Sequence, residues 1–285
     1  MKKIIVPSKF DGKQLNKFVL DSFPKLPQNQ FYKALRNKDI RINNIKVKQN
    51  DDLIVHTGDE VTLYIVDNLL LGNNQIEIVK VYEDENILVV NKPEEIEVVE
   101  EGDIDSLTSI LKKEYSYIEP CHRLDRNTKG LVIFAKNEQS LHILLDKFKN
   151  KEIEKHYKAI VYGKPKQQHE VLEAYLFKDS KKSLVYISET MQKGYLPIKT
   201  EYTLIDTDGD ISTLDVILHT GRTHQIRAHL AYIGLPILGD GKYGINEINK
   251  QYGYKYQQLE AYKLIFKFTT KNDVLDYLQG KEISI

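Results

Sequence analysis

The sequence predicts an α+β protein of two domains, residues 1–66 and 76–285, joined by a linker at 67–75. Three observations carry this expectation. Apolar runs such as LVIFA at 131–135 read as buried strands, whereas Leu141, Leu144, Leu145 and Phe148 recur at helical spacing. The turn cluster Gly72-Asn73-Asn74 lies in a stretch without periodicity. Charge divides at the same place: residues 1–66 carry twelve Lys/Arg against seven Asp/Glu, an excess of +5, and the remainder carries 29 against 34, or −5. A chain of 285 residues is also long enough for a sizeable core and more than one domain.

In order, the first segment opens with a short strand, Ile4–Pro7. KQLNKFVLDSF then places Leu15, Phe18, Val19 and Phe23 on one helical face, and Pro24 and Pro27 end it. QNQFYKALRNK is a second short helix, with Phe31, Ala34 and Leu35 inward and Lys33, Arg36 and Lys38 outward. IRINNIKV reads as a tight hairpin about Asn43-Asn44, and Gly58-Asp59 turns into a last strand, EVTLYI. Over residues 10–66 this succession resembles the S4-type RNA-binding domain, without that family's usual Ser-Arg pair.

Past the linker, IEIVKVYED and ILVVNKP are strands, and SLTSILKKEYS is an amphipathic helix opened by Ser106 or Asp105. Strand LVIFA leads to a helix over 138–150 and a strand in KEIEKHYKAIVYG. Further strands are expected at 170–177, 183–189 and 198–206, followed by the turn DTDGD and STLDVIL. A helix begins near Arg222, capped by Thr220 or a neighbour, with Ile226, Leu230 and Ile233 on its inner face. LEAYKLIFKF is a strand and NDVLDYLQG a closing helix.

The chemistry gathers before the strand at 131–135. There Asp125 stands between Arg123 and Arg126, and nearby positive charge favours an ionised carboxylate; Gly130 supplies the bend into the strand. Arg222 and Arg227 near a helix start oppose the helix dipole, which suggests a fixed anionic partner. Arg227 is the first choice as ion-pair partner of Asp125, and Arg222 the second.

HRLDRNTKGLVIFAK, at 122–136, resembles the active-site motif of the RluA-type pseudouridine synthases, with Lys129 where that family usually has serine. Lys155-x-Tyr157-x-Ala159 with Gly163 resembles the family's next motif, and Thr220 to Arg227 with Gly234 to Gly244 its third block. Asn91-Lys92-Pro93 matches too, but the acidic EEIEVVEEGD that follows does not: Glu95 and Val99 stand at the family's glycine and histidine places. Leu259-Glu260-Ala261 replaces a usual Leu-His-Ala.

The resemblance implies a pseudouridine synthase fold with a large mixed, mainly antiparallel sheet and a central cleft. It implies Asp125, Tyr157 and Arg227 as catalytic residues. It makes His122, Arg123, Arg126, Thr128, Arg222, His224, Asn91 and Lys92 substrate-binding. The implied reaction isomerises uridine in RNA, with ribosomal RNA favoured over tRNA, and needs no cofactor. Asp125 either attacks the sugar or removes a proton from it. The alternatives are an idle RNA-binding protein that keeps the fold and a carboxylate-based nucleosidase, which would want a second carboxylate.

Other readings are weaker. His224 and His229 are five residues apart, about 140° around a helix, so with His219 they do not form a zinc face, and no metal is expected. GDGKYG fits a dinucleotide pattern but lacks the following helix and acidic residue. Cys121, the single cysteine, reads as a packed residue and suits a reducing compartment. No apolar run is long enough for a membrane span, and MKKIIVPSKFDGKQ lacks the apolar core of a secretory signal. A cytoplasmic monomer is therefore expected, with RNA as its partner and no membrane or small-molecule cofactor.

Overall fold

The computed structural model describes residues 2–48, 53–65, 70, 77–99 and 106–285. The chain divides into two compact units, residues 1–77 and 78–285. Apart from Leu70, the linker expected at 67–75 lies outside the described residues, as do Asp105 and the end of the acidic stretch at 100–103.

The first unit contains β1 (Lys2–Ile5), β2 (Lys13–Gln14), α1 (Leu15–Ser22), α2 (Gln28–Asn37), β3 (Ile40–Ile42), β4 (Ile45–Lys46), β5 (Ile54–Val55) and β6 (Glu60–Leu63). Strands β1, β6, β3 and β4 form one sheet, and β2 pairs with β5. The inward residues of α1 and α2, among them Phe18, Phe31 and Leu35, share one core with Ile40, Val61 and Leu63. The β3–β4 turn needs two residues at positive φ, and Asn43 and Asn44 adopt 50° and 66°. Asparagine tolerates this conformation, which suits the twist of the flanking strands.

The second unit begins with β7 (Val79–Glu83), β8 (Ile87–Lys92), α3 (Leu107–Leu111), β9 (Glu119–Pro120), β10 (Lys129–Ala135) and α4 (Glu138–Lys149). It continues with β11 (Ile153–Tyr162), β12 (His169–Asp179), β13 (Leu184–Ser188), β14 (Leu196–Asp208) and β15 (Ile211–Leu218). The last elements are α5 (Gln225–Tyr232), α6 (Asn246–Gln251), β16 (Leu259–Phe266), a 3₁₀ turn at Asp273–Leu278 and β17 (Glu282–Ser284). The strands build an 11-stranded sheet whose main path runs β13-β12-β14-β15-β11-β16-β10-β8-β7. Ser106 caps α3 and exchanges hydrogen bonds with Ser109.

Three expectations are corrected here. The closing helix is a 3₁₀ turn followed by a strand, β17, that pairs with β16. On α4 Leu145 is 45% exposed, while Lys147 is buried in the core. The Lys147 ammonium goes inward because Glu152 meets it at 2.9 Å and Thr270 offers two oxygens at 2.7 Å. Helix α5 starts at Gln225, after Arg222, with His224 in a left-handed conformation as its cap. Every residue from Gln225 to Leu230 is buried, so α5 has no solvent face in this stretch; Ala228 packs against Ala174, Leu176 and Ile198.

One strand contact differs from the rest. Strands β10 and β16 run parallel, with Lys129 opposite Glu260 and Gly130 opposite Ala261, in a sheet whose other pairings are antiparallel. Gly130 has φ 117°, and a Cβ there would stand 2.2 Å from the Ala261 carbonyl oxygen. Only glycine permits this approach, which brings the loop before β10 beside the segment before β16.

On β11, successive side chains alternate faces, so His156 and Tyr157 point to opposite sides of the sheet. His156 sits 3.0 Å from both Asp215 and Glu154. Burial works against its charge, but the bonds to Asp215 and Glu154 outweigh that and raise its pKa above the ordinary value. Its stabilisation is then fully present below the unfolded histidine pKa, about 6.5, and lost as pH rises through the higher folded value. Urea unfolding across this range should show a loss of stability with rising pH that is absent in His156→Gln; equal profiles would remove His156 as its source.

Candidate active site

The loop between β9 and β10 lies over the parallel strand pair and presents Asp125 to a cleft of about 950 Å³. The loop is held from below. Thr128 is buried, donates its N–H to the Asp125 carbonyl at 3.0 Å, and accepts from Gln257 at 2.7 Å through its hydroxyl. Lys92 is fully buried, and its ammonium donates to the carbonyls of Pro93, Ile96 and Arg126 at 2.7, 2.9 and 2.9 Å. Burial brings the Lys92 pKa down to about 8, with neighbouring carboxylates opposing the shift. His122 accepts the Ile133 N–H through Nε2 at 3.1 Å, and its ring lies 4.7 Å from that of Phe148. Burial, then the Lys155 charge, depress its pKa to about 3, so it stays neutral.

Arg227, the third residue of α5, reaches across to this loop. Its Nη1 donates to Asp125 Oδ2 at 2.8 Å. Its Nε and Nη2 hold Asp240, at 2.6 and 2.9 Å. Asp240 is fully buried and also accepts the N–H groups of Lys242 and Tyr243, at 2.8 and 3.1 Å. Burial opposes both charges, yet the pair holds the Asp240 pKa below the ordinary value and that of Arg227 above it. The Tyr243 ring lies 5.3 Å from the guanidinium. Asp240 therefore fixes Arg227, and Arg227 fixes one oxygen of Asp125. Among the described residues the other oxygen, Oδ1, has no partner, and the Asp125 side chain is 27% exposed.

Tyr157 lines the same cleft from the middle of β11 and is 5% exposed. Burial, then the Asp125 charge, push its phenol pKa up, so it remains protonated at neutral pH and offers a flat face and an O–H rather than a base. His224 closes another side; its Nδ1 meets the Tyr243 hydroxyl at 2.9 Å. Burial is the main cause of its pKa falling to about 4.

The structure separates the predicted site residues into four groups. Asp125, Tyr157, Arg227, Arg222 and His224 meet in the cleft wall. His122 and Thr128 also line it, but their polar atoms bond Ile133 and Gln257 and hold the loop. Lys92 acts beneath the loop, and Asn91 pairs within the sheet on β8. The arginines beside Asp125 in sequence turn elsewhere: Arg126 Nε donates to the Glu95 carbonyl at 3.1 Å, and Arg123 lies 3.8 Å from Glu97. The 95–97 segment supplies acceptors to both, and Arg126 lies in the turn that Thr128 closes on the Asp125 carbonyl, so sequence proximity did not make them the partners of Asp125. Arg222 is exposed, precedes the helix and binds Gln225 through its N–H, not Asp125.

Asp240 is the residue sequence reasoning passed over, within GDGKYG. It follows Leu235, Ile237 and Leu238, all buried, and a carboxylate ending a buried run needs a cation. The glycines serve packing: a Cβ at Gly239 would stand 2.0 Å from the Tyr256 carbonyl oxygen. The three histidines go separate ways: His219 to Glu201, His224 to Tyr243 and His229 to Thr200. Cys121 is buried and its thiol pKa is raised by desolvation, which makes it a poor nucleophile.

The cleft's charge runs opposite to that of its unit. Arg123, Arg126, Arg222 and Arg227 line it with Lys155, Lys178, Lys242 and Lys255; among the described residues the lining carboxylates are Glu97 and Asp125. Net charge over a segment hides such clustering. The acidic segment after Pro93 meets this cationic rim. Glu95 takes a positive φ of 67°, bonds the Tyr256 hydroxyl and lies 3.8 Å from Lys255.

Residues 86–232 match the RNA pseudouridylate synthase family. The chain is 34% identical to an uncharacterized RNA pseudouridine synthase of Mycoplasma capricolum, over 99% of this chain and 97% of that one. It is 32% identical to the ribosomal large subunit pseudouridine synthase C of Rickettsia bellii, over 88% and 89%. The solved structure of human RNA pseudouridylate synthase domain containing 1 resembles its fold, with a TM-score of 0.59 and 22% identity over 73% of this chain and 90% of that one.

Proposed function

Because this chain belongs to the RNA pseudouridylate synthase family and is an RNA pseudouridine synthase of the RluA type, we propose that it modifies large-subunit ribosomal RNA with Asp125 as its catalytic carboxylate. The observation that carries the residue assignment is the chain Asp240–Arg227–Asp125, which anchors one carboxylate oxygen and leaves the other open to a cationic cleft. Such a group can attack the sugar at the glycosidic carbon or take a proton from the sugar. In either case the N-glycosidic bond breaks, the uracil turns, and a carbon–carbon bond forms, without change of redox state. A paired uridine must first leave its stack, at about a few kcal/mol. The flat ring of Tyr157 is suited to stack on the extruded base. Asp240 is too deeply buried to serve as a second catalytic carboxylate.

The choice of ribosomal RNA rests on full-length relatives named for the large subunit. The test is to map pseudouridines in RNA from cells with and without this protein. A missing site in large-subunit RNA supports the reading, and one in tRNA replaces it.

The first unit is the proposed S4-like RNA-binding domain of a cytoplasmic, monomeric enzyme. Lys33, Arg36 and Lys38 are exposed on and just beyond α2, beside a hairpin bearing Lys46. Deleting residues 1–66 should weaken RNA binding and make its salt dependence shallower, by roughly 0.9 for each phosphate no longer neutralised. An unchanged slope in a filter-binding series would assign this unit another role.

A further inference from the structure

Buried ammonium groups in the second unit have protein partners where they serve the fold. Lys92 donates to three carbonyls, and Lys147 meets Glu152 and Thr270. Lys155 differs. It lies on β11 two residues before Tyr157, hence on the same face of the sheet, and lines the same cleft. Among the described residues its Nζ has neither a hydrogen bond nor an ion pair.

The ammonium sits 5.5 Å from the Phe148 ring on α4, and the open side of Gly221 leaves 3.8 Å between Nζ and the place of a Cβ. The titratable groups around it are neutral His122 from the loop before β10, protonated Tyr157 on its own strand, and Arg222 after β15. Leu264 faces it in register on β16. Among the described residues no carboxylate bonds this ammonium. A cation set into such a wall, in the cleft that Asp125 also lines, calls for an anion from outside.

We propose that Lys155 holds a phosphodiester group beside the target uridine, an inference that rests on the cleft's being the synthase site. Phosphate is the anion that RNA brings, and the glycine surface at Gly221 leaves room for backbone to approach. Burial brings the Lys155 pKa to about 8. A bound phosphate favours the charged form, so binding takes up a proton above that pH and affinity falls as pH rises through it. Arginine at this position stays charged throughout.

The test uses the full chain. Wild type, Lys155→Met and Lys155→Arg are compared for binding of a short oligouridylate between about pH 6.5 and 9.5, and for turnover on total RNA from cells lacking the protein. Lys155→Met should lose about ten- to a hundredfold in affinity and raise KM with little change in kcat. Wild-type affinity should fall through about pH 8, whereas that of Lys155→Arg should lack this fall. Lys92, which titrates in the same range, is present in all three proteins and cancels in the comparison. A Lys155→Met variant with wild-type affinity and pH profile overturns the inference, as does loss of kcat at unchanged affinity. If Lys155→Met fails to fold, the Lys155→Arg profile decides alone. If wild type forms no pseudouridine in any RNA, the functional reading fails, while the affinity series still decides the role of Lys155.

Discussion

Asp125→Asn abolishes pseudouridine formation, by about a thousandfold or more, while RNA affinity stays level or rises slightly. The size follows from the chemistry: an amide is neither a nucleophile nor a base of comparable strength, and removing such a group commonly costs at least that factor. The sign on binding follows from charge. Asp125 is a carboxylate among cationic lining groups, so neutralising it reduces repulsion toward phosphates. Asparagine keeps an oxygen for Arg227, which remains braced by Asp240, so the loop should stay in place. Turnover and affinity measured on one preparation test both halves. Near-normal turnover would exclude Asp125 as the catalytic group.

Arg227→Met should cost both stability and turnover. It strands Asp240, which has no exposure and keeps only the two N–H groups of residues 242 and 243. Removing one partner of a buried ion pair typically costs about 3–5 kcal/mol, mostly for the charge left behind. It also frees Asp125 from its anchor, so kcat should fall even under conditions where the variant is folded. Arg227→Lys should rescue little, because a point cation cannot bridge two carboxylates as the guanidinium fork does. Arg222→Met is the control: Arg222 is exposed and has no bond to either carboxylate, so RNA affinity should weaken with stability unchanged. Urea midpoints with single-turnover rates separate the cases. A stable Arg227→Met with full turnover would refute the bridging role.

Local patterns made much of the fold legible: the paired asparagines of the first hairpin, the apolar run of β10, and the helical spacing of α1 and α2. Contacts between distant segments were harder to read. Helix α5 is enclosed by structure on several sides, which no one-faced periodicity describes. Arg123 and Arg126 flank Asp125 in sequence yet bond to the loop at 95–97, a segment about thirty residues away in sequence that only the fold brings beside them. Lys129 and Glu260, two departures from the family pattern, face each other across the parallel strands at 3.5 Å. Neither is explicable alone, and only the register shows that they compensate. Asp240 needed knowledge of which buried cation would meet it.

The parallel contact between β10 and β16 has a consequence for synthesis. Gly130 and Ala261 are 131 positions apart (261 − 130), and Asp125 precedes Arg227 by 102. At about 5–20 residues per second, the ribosome needs roughly 5–20 s after Asp125 to make its arginine, and longer to make β16. Meanwhile β8 and β9, near in sequence, can pair with β10, leaving the start of its far edge, at Lys129 and Gly130, open to any passing strand. Nascent chains paused before β16 should therefore be catalytically idle and prone to aggregate, and both traits should disappear together once the strand that faces Gly130 emerges.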